Sequence, residues 1–451
     1  MSKIYFYGGA GMVTGSNFLL ETPETKLLID CGLLQGAHTC DASNWSAFAY
    51  NLHTIKTLVV THAHIDHIGR IPRLVKEGFR GTIYSTAATK ALAEPLLHDA
   101  LELLEADARR CKEEPLYSKD HVAQALRQWK GLTYHEVVEL QGCTLELLNS
   151  GHILGASMVK ITRGTKSIVF TGDLGPGTSP LLSPCEDVAG AQFLVMESVY
   201  GDRVRQKGED RLGELEDLIE GAAQKNGTLL IPAFSTERTQ DLLFEIRDLM
   251  MRKKVPSMPV YVDSPLAEAI THAFVREPDF FAPEIAARIK AGENIFAFPE
   301  LRFVEDVEES KKINGHTGPK VILAGSGMSN GGRVQGHELS VLPDPNSTLL
   351  IVGYQAPGSI GRRLAEGASY VDIRGERVPV RAQVAALYGY SAHMDSEALL
   401  EFVNKAARDI RHVFVVEGEP AAAGFLTQRV RDYLGVNATA PEAGDIAEID
   451  L

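Results

Sequence analysis

Three histidines and an aspartate lie within six residues directly behind a short apolar run, and this cluster restricts the folds open to the chain. The residues are His62, His64, Asp66 and His67, and they follow Leu58-Val59-Val60. A short apolar run bounded in this way predicts a buried strand. The four side chains therefore stand where a strand ends, and a turn there can direct the first two histidines one way and Asp66 and His67 another.

The donor types in this histidine cluster predict a metal site. Neutral imidazole nitrogens and carboxylate oxygens are ligands that suit zinc. The five cysteines contain no CxxC pair, so a structural zinc bound by thiolates is not expected. The cluster therefore favours a zinc site with a chemical role.

Two further strand ends carry a glycine beside a potential ligand, in Gly151-His152 and Gly172-Asp173. His152 can complete a ligand set with the first two histidines of the cluster, and Asp173 can bridge to a second metal held by Asp66 and His67. Two metals about 3.5 to 4 Å apart that share a hydroxide can activate water and clamp a phosphoryl transition state. Asp30, which ends the strand pattern Lys26 to Ile29, is a candidate acceptor for the N–H of a ligand histidine.

The pattern of strands and helices changes twice along the chain. Residues 1–200 contain many short β-type runs with long helical patterns between them, which predicts a layered α/β domain. Residues 201–372 alternate helices with short buried strands such as Thr228 to Ile231, which predicts a parallel sheet. Residues 373–451 return to the first style, so we expect the middle domain to be inserted into the first.

Composition excludes several other classes of protein. The chain has 451 residues, of which 44% are hydrophobic, and a formal net charge of -14. No run approaches the roughly 18 apolar residues that span a bilayer, and Met1 to Ala10 do not read as a signal peptide. We therefore expect a cytoplasmic protein with no membrane contact. The acidic balance argues against attraction of nucleic acid over the whole surface, but it allows a local basic cleft.

Several segments carry a family resemblance. His62-Ala63-His64-Ile65-Asp66-His67, Gly151-His152 and Thr171-Gly172-Asp173 resemble the HxHxDH, GH and GD signatures of the metallo-β-lactamase superfamily. Other segments resemble those of the β-CASP nucleases: Glu197-Ser198-Val199-Tyr200-Gly201-Asp202, Tyr261-Val262-Asp263-Ser264-Pro265-Leu266, Gly325-Ser326-Gly327-Met328 and Tyr390-Ser391-Ala392-His393-Met394-Asp395. The resemblance runs from about Tyr5 to Pro420 and implies an αββα metallo-β-lactamase fold with an inserted parallel-sheet β-CASP domain. It is strongest to the RNA-processing branch, which includes the nuclease of the cleavage and polyadenylation factor.

The resemblance also implies roles for individual residues. His393 would be the general acid that protonates the leaving oxygen, a task that suits a group with an ordinary pKa near 6.5. Glu197 would hold the other ring nitrogen of His393. Asp66 would serve both as a metal ligand and as a catalytic residue.

Candidate phosphate contacts lie in the middle domain. Residues 325–332 are too rich in glycine for a helix and precede one, so backbone N–H groups at Ser326 and Gly327 could cradle a phosphate. Arg238, Arg333 and Arg362 have fork-shaped donors that suit the same ion.

One position departs from the family pattern. In the family, a VHGE-like segment supplies a histidine to the second metal, whereas this chain has Val416-Glu417-Gly418-Glu419. Glu417 could preserve the site as a carboxylate ligand, and such a site would accept manganese as well as zinc. Alternatively, the second metal is weakly bound or absent.

We therefore expect a metal-dependent RNA phosphodiesterase, an endo- or exoribonuclease with two zinc sites that acts on single-stranded RNA. The resemblance also allows a homodimer. The alternatives are a small-molecule ester or thioester hydrolase of the same superfamily and a weakly active or non-catalytic RNA-binding paralogue.

Overall fold

The structure is a computed structural model that describes residues 1–35, 44–204, 210–356 and 358–451. The chain forms two compact units. The first comprises Met1–Gly177, Ser183–Arg205 and His393–Leu451, and the second comprises Thr178–Leu182 and Gln206–Ala392. The second unit thus interrupts the first along the sequence.

The first unit begins with eleven strands and four α-helices among the described residues. The strands are β1 (Ser2–Gly8), β2 (Asn17–Glu21), β3 (Lys26–Ile29), β4 (Thr57–Val59), β5 (Thr82–Thr86), β6 (Trp129–Leu132), β7 (Val138–Leu140), β8 (Cys143–Asn149), β9 (Ser157–Arg163), β10 (Lys166–Phe170) and β11 (Phe193–Met196). The helices are α1 (Ile65–Ile68), α2 (Ile71–Lys76), α3 (Ala87–Cys111) and α4 (Lys119–Gln128).

The second unit and the final segment supply the remaining elements. The second unit contains α5 (Arg211–Lys225), β12 (Thr228–Pro232), α6 (Arg238–Met251), β13 (Val260–Asp263), α7 (Pro265–Arg276), α8 (Pro283–Lys290), β14 (Leu301–Phe303), α9 (Val307–Ile313), β15 (Lys320–Ala324), α10 (Val334–Val341), β16 (Thr348–Val352), α11 (Ile360–Ala365), β17 (Tyr370–Ile373), β18 (Glu376–Pro379) and β19 (Gln383–Leu387). The final segment contains α12 (Ser396–Ala406), β20 (His412–Val415), α13 (Pro420–Leu434), β21 (Ala438–Thr439) and β22 (Ile446–Ile449).

The first unit is built on two seven-stranded sheets. Their strand orders are β22-β1-β2-β3-β4-β5-β6 and β21-β20-β11-β10-β9-β8-β7. One apolar core joins side chains of both sheets, including Phe18 and Phe170, so the sheets pack face to face. A second core joins the other face of the second sheet to Leu399 of α12 and Leu426 of α13. Helices α3 and α4 pack against β5 and β6 of the first sheet, which completes the predicted αββα layers.

The two-residue period of strand β8 shows how the sequence divides side chains between these cores. Leu147 belongs to the core between the sheets, whereas its neighbour Leu148 belongs to the core beneath α12 and α13. Successive side chains of a strand point to opposite faces. An apolar residue at both positions therefore indicates a sheet that is covered on both sides.

The second unit is built on a six-stranded sheet, β14-β13-β15-β12-β16-β19, in which every recorded pairing is parallel. Strands β12, β15 and β16 are buried at every residue, as expected for a parallel sheet with both faces covered. Strand β19 differs from the expected arrangement, because it pairs with β16 of this sheet although its residues fall in the 373–451 segment. The short apolar run of β19 is compatible with either domain, and only the strand pairing shows to which sheet β19 belongs.

Among the described residues, no helix combines the length and the apolar character needed to cross a bilayer.

Candidate metal centre

The candidate ligands lie directly after the carboxyl ends of strands. Strands β3 and β4 are parallel neighbours in the first sheet, and β10, β11 and β20 are parallel neighbours in the second. The carboxyl ends of parallel strands meet at one edge of a sheet. The loops carry Asp30 after β3, Thr61 to His64 after β4, His152 after β8, Asp173 after β10, Glu197 after β11 and Glu417 after β20, whereas Asp66 and His67 lie in the short helix α1 that follows the β4 loop.

Glycine allows the loop that carries Asp173 to approach the loop that follows β4. Gly172 has a φ of +51°, and a Cβ atom at this position would lie 2.6 Å from the Cβ of Thr61. Both the left-handed backbone and the lack of space disfavour a side chain here. Asp173 is thereby held beside the histidine cluster.

His62, His64, His152 and Asp173 form a compact group that we call the histidine cage. The distances between their ligand atoms are 3.0 Å from His62 Nε2 to His64 Nδ1 and 3.2 Å from His64 Nδ1 to His152 Nε2. Asp173 Oδ2 lies 3.4 Å from His62 Nε2 and 3.3 Å from His152 Nε2. A tetrahedral ion with bonds of about 2.0 to 2.1 Å needs donors about 3.3 Å apart, so the cage fits a divalent metal ion.

Electrostatics keep the cage in the protonation states that a metal requires. Burial holds the pKa of His64 and of His152 well below the ordinary value, so these imidazoles are neutral, as ligands must be. Burial alone would raise the pKa of Asp173, but His62 and His67 in the first place hold it well below its usual range. The cage thus presents two neutral imidazoles, those of His64 and His152, and the ionised carboxylate of Asp173.

Asp30, His67 and Glu417 form a second buried group, which we call the carboxylate side. Asp30 Oδ2 accepts a hydrogen bond from His67 Nδ1 at 2.7 Å, which fixes the tautomer of His67. The other ring nitrogen, Nε2, lies 3.6 Å from Asp173 Oδ1. Asp30 therefore orients the ring of His67, and its predicted role behind a metal ligand stays a prediction.

Asp66 and Glu417, two predicted ligands of the second metal, stand in different surroundings. Burial raises the pKa of the half-buried Asp66, and its charge interacts with those of His67 and Asp173. Glu417 is 2% exposed, and its Oε1 is 3.9 Å from His67 Nδ1, the nitrogen bound to Asp30. Within the described residues this oxygen has no hydrogen-bond partner, so its role as a ligand stays a prediction.

His393 and Glu197 form a third group together with Asp173. Glu197 Oε1 lies 3.2 Å from His393 Nδ1 and also accepts the backbone N–H of Leu174 at 2.6 Å. Glu197 is fully buried, whereas the side chain of His393 is 22% exposed. A buried carboxylate thus holds a histidine that a substrate can reach.

Sequence reasoning gave no role to two residues that hold these groups in place. The hydroxyl of Thr61 donates to Asp30 Oδ2 at 2.8 Å and lies 3.1 Å from Nδ1 of His62. The carbonyl of Leu174 accepts the N–H of Met394 at 2.8 Å, next to His393. Thr61 could have been found from its position between the strand and the first histidine, but a backbone contact such as that of Leu174 has no sequence signal.

Three family models match the chain. They are a metallo-β-lactamase superfamily domain over residues 19–175, a Beta-Casp domain over residues 239–364, and a Zn-dependent metallo-hydrolase RNA specificity domain over residues 377–441. The chain is also 34% identical over 417 residues to Ribonuclease TTHA0252 of Thermus thermophilus, which covers 92% of this chain and 93% of that protein. The chain belongs to the β-CASP family of the metallo-β-lactamase superfamily.

More distant similarities agree with this membership. Transcription termination factor FttA of Methanosarcina mazei is 31% identical, with 97% of this chain and 70% of that protein covered. The crystal structure of a protein of unknown function from Enterococcus faecalis V583 has a TM-score of 0.57 at 13% identity and covers 99% of each chain. The latter supports the fold alone.

The residues predicted to contact phosphate lie in the second unit, which contains the β-CASP domain. Arg333 donates to Asp263 at 2.7 Å and to the carbonyls of Val304 and Glu305, so its guanidinium already supports this unit. Arg362 is half exposed and is paired with Glu366 at 2.6 Å.

The other three phosphate candidates are also held by contacts within this unit. Arg238 lies 4.0 Å from Asp241. The hydroxyl of Ser326 donates to the carbonyl of Gly331 at 3.3 Å, and the carbonyl of Gly327 accepts from Gln355 at 3.0 Å. All five phosphate contacts stay predictions.

Proposed function

We propose that this chain is a metal-dependent phosphodiesterase that hydrolyses single-stranded RNA, with zinc held by the histidine cage. The observation that carries the proposal is the shared position of Asp173. Its carboxylate belongs both to the cage and to the group of Glu197 and His393. The candidate ion site and the candidate proton donor therefore share one carboxylate.

Each group has a separate task in this proposal. Bound divalent ions would activate a water molecule and neutralise the charge of the phosphate. Glu197 orients His393 through Nδ1 and stabilises its charged form, and His393 Nε2 delivers a proton to the departing sugar oxygen. Asp30 and Thr61 orient the rings of His67 and His62 through the Nδ1 atom of each ring.

Membership of the β-CASP family supports RNA as the substrate. One relative is named a ribonuclease, and residues 377–441 match a domain described by RNA specificity. A hydrolase of small esters would need no such domain. The identity of the ion is proposed from the donors, because three imidazoles and one carboxylate suit zinc.

The decisive experiment uses purified protein with end-labelled RNA and DNA of one sequence, resolved on a gel. We expect cleavage of the RNA. His393→Ala should slow cleavage by about 10² to 10⁴-fold, because it removes proton transfer, and it should leave the metal content unchanged.

His272→Ala is the matched control, because His272 is an exposed histidine of the second unit, and this variant should cleave at the parental rate. Metal loss in parallel with activity in the His393 variant would make His393 a ligand and would contradict its role as the acid. Parental protein that binds RNA without cutting it would instead identify a non-catalytic RNA-binding protein.

A further inference from the structure

Two large aromatic side chains of the first unit are exposed on one stripe of helix α13. Phe425 is 50% exposed and Tyr433 is 72% exposed. Between them stands Arg429, whose guanidinium carbon lies 5.9 Å from the Phe425 ring centroid and 5.6 Å from that of Tyr433. The spacing of four residues places all three on the same side of the helix. Single exposed aromatic residues are common, but two that flank an arginine are an organised surface.

The opposite face of α13 is buried and packs into the core. Leu426 and Val430 are fully buried in the core beneath the second sheet, so the aromatic stripe contributes little to folding. Two hydrogen bonds that Arg429 donates hold it in place: Nη1 donates to Ser396 Oγ and Nη2 to Glu397 Oε1, both at 2.8 Å. The guanidinium is therefore fixed between the two rings.

Ser396 connects this stripe to a second pair of an aromatic residue and an arginine. Its hydroxyl donates to the carbonyl of Gly201 at 2.6 Å, and its N–H donates to the carbonyl of Arg203 at 2.8 Å. The guanidinium carbon of Arg203 lies 5.7 Å from the ring centroid of Tyr200. That ring stands edge-on to the ring of His393, with centroids 5.7 Å apart. The contacts therefore run without a break from His393 to the stripe on α13.

We infer that Tyr200, Arg203, Phe425, Arg429 and Tyr433 form a track that binds single-stranded RNA as it leads away from His393. The inference rests on the proposed function. Aromatic faces that alternate with guanidinium groups suit nucleic acid, since every base can stack on a ring and arginine adds cation–π and phosphate contacts. Helix α13 also lies inside the segment that matches the RNA specificity domain.

The charges around the track indicate how it binds. Glu397 pairs with Arg429, and Asp202 lies 3.5 Å from Arg203, so both arginines are partly neutralised. Stacking should therefore supply most of the affinity, and binding at the track should depend weakly on salt. Stacking does not detect the 2′-hydroxyl, so single-stranded DNA should compete for the same surface.

The test measures binding of a fluorescein-labelled 20-nucleotide single-stranded RNA by anisotropy, with His393→Ala holoprotein as the parent so that cleavage is slow. We expect Phe425→Ala and Tyr433→Ala each to weaken binding about ten-fold, because each substitution removes a ring on which a base stacks. Phe425→Tyr and Tyr433→Phe keep a ring and should bind within about two-fold of the parent. Exposed positions of this kind tolerate substitution without unfolding.

Tyr370→Ala is the matched control, because Tyr370 is 41% exposed with Arg377 over its ring but lies in the second unit. It should bind like the parent. Unchanged affinity of the combined Phe425→Ala and Tyr433→Ala variant would overturn the track while leaving the proposed function intact. Holoprotein with His393 intact that neither binds nor cleaves RNA would overturn the proposed function itself. Light scattering could instead show that the parent is a dimer and the combined variant a monomer, with unchanged affinity for RNA. That result would overturn the track and identify the stripe as a self-association surface.

Discussion

The histidine cage and the carboxylate side are neighbouring buried groups, but they differ in how their polar atoms are used. In the cage, four donors from three loops lie 3.0 to 3.4 Å apart, the spacing that one ion requires. On the carboxylate side, Asp30 is saturated by His67 and Thr61, whereas Glu417 Oε1 is buried without a partner among the described residues. A buried polar atom without a partner is costly. The carboxylate side therefore contains one oxygen that the described residues leave unpaired, whereas the four donors of the cage lie close to one another.

This difference predicts two candidate metal sites of unequal affinity. The cage offers four closely spaced donors, so we expect it to retain an ion through purification. A site that depends on Glu417 relies on one oxygen that lies 3.9 Å from Nδ1 of His67, the nitrogen already bound to Asp30. Substitutions in each group can test whether the two sites differ in their affinity for metal.

His64→Ala should have the largest effect. Removing the Nδ1 atom leaves three protein donors and opens the cage, so metal content should fall from at least one ion per chain to nearly none, and cleavage should fall with it. Elemental analysis of the purified protein is the measurement. His53→Ala, an exposed histidine of the same unit, is the control and should retain the metal. A parent without metal would contradict the assignment of the cage.

Glu417→His should have the next largest effect, and it acts only on the carboxylate side. Residue 417 has a φ of +50°, a conformation that histidine tolerates better than most side chains. At a low zinc concentration, at which the parent binds about one ion per chain, the imidazole of Glu417→His should raise the zinc content toward two ions per chain. Glu417→Ala should lower the affinity for the second ion. Native mass spectrometry during zinc titration distinguishes the two outcomes.

Glu419→His is the matched control, because Glu419 is an exposed carboxylate two residues further along. Its metal content should equal that of the parent. Identical titrations for the parent, Glu417→His and Glu417→Ala would show that the second ion never depended on residue 417.

Glu338→Gln should have the smallest effect, and this effect is on stability. The substitution measures how much a buried carboxylate without a partner, far from the histidine cluster in sequence, lowers the free energy of unfolding. Both oxygens of Glu338 are buried without a hydrogen-bond partner in the described chain, and burial raises the pKa of this residue to about 7. Between pH 4.5 and 7 the unfolded chain loses this proton while the folded protein keeps it. The contribution of Glu338 to the free energy of unfolding therefore falls as pH rises through this window.

The variant removes this titration, so its stability should rise relative to that of the parent between pH 5 and pH 8, by about 3 kcal/mol at most. Thermal unfolding at the two pH values is the measurement. Glu376→Gln changes an exposed carboxylate of the same unit and should leave the pH dependence as it is. A constant difference between Glu338→Gln and the parent at both pH values would show that Glu338 is ionised throughout.

Much of the candidate metal centre could be predicted from the sequence because its candidate ligands follow apolar strands. His62, His64, His152 and Asp173 come together because loops at the carboxyl ends of strands converge, and Asp30 was found by the same reasoning. Residue 417 was identified as unusual, but its surroundings could not be predicted. They depend on how β20 approaches β11 and on the N–H bond from Glu417 to the carbonyl of Gly9, and contacts so distant in sequence have no local pattern.

Strand and helix periods are local properties, so the sequence pattern was enough to predict a layered α/β domain interrupted by a parallel-sheet domain, and the family resemblance implied its αββα layers. Long-range packing fixes the sheet to which β19 belongs, the contacts of Thr61 and Leu174, and the face of α13 that remains exposed. The spacing of Phe425, Arg429 and Tyr433 is visible in the sequence, but an aromatic stripe on a helix most often faces a core. Only the packing of Leu426 and Val430 beneath the second sheet turns that stripe outward, because a helix can bury just one of its faces against a single sheet.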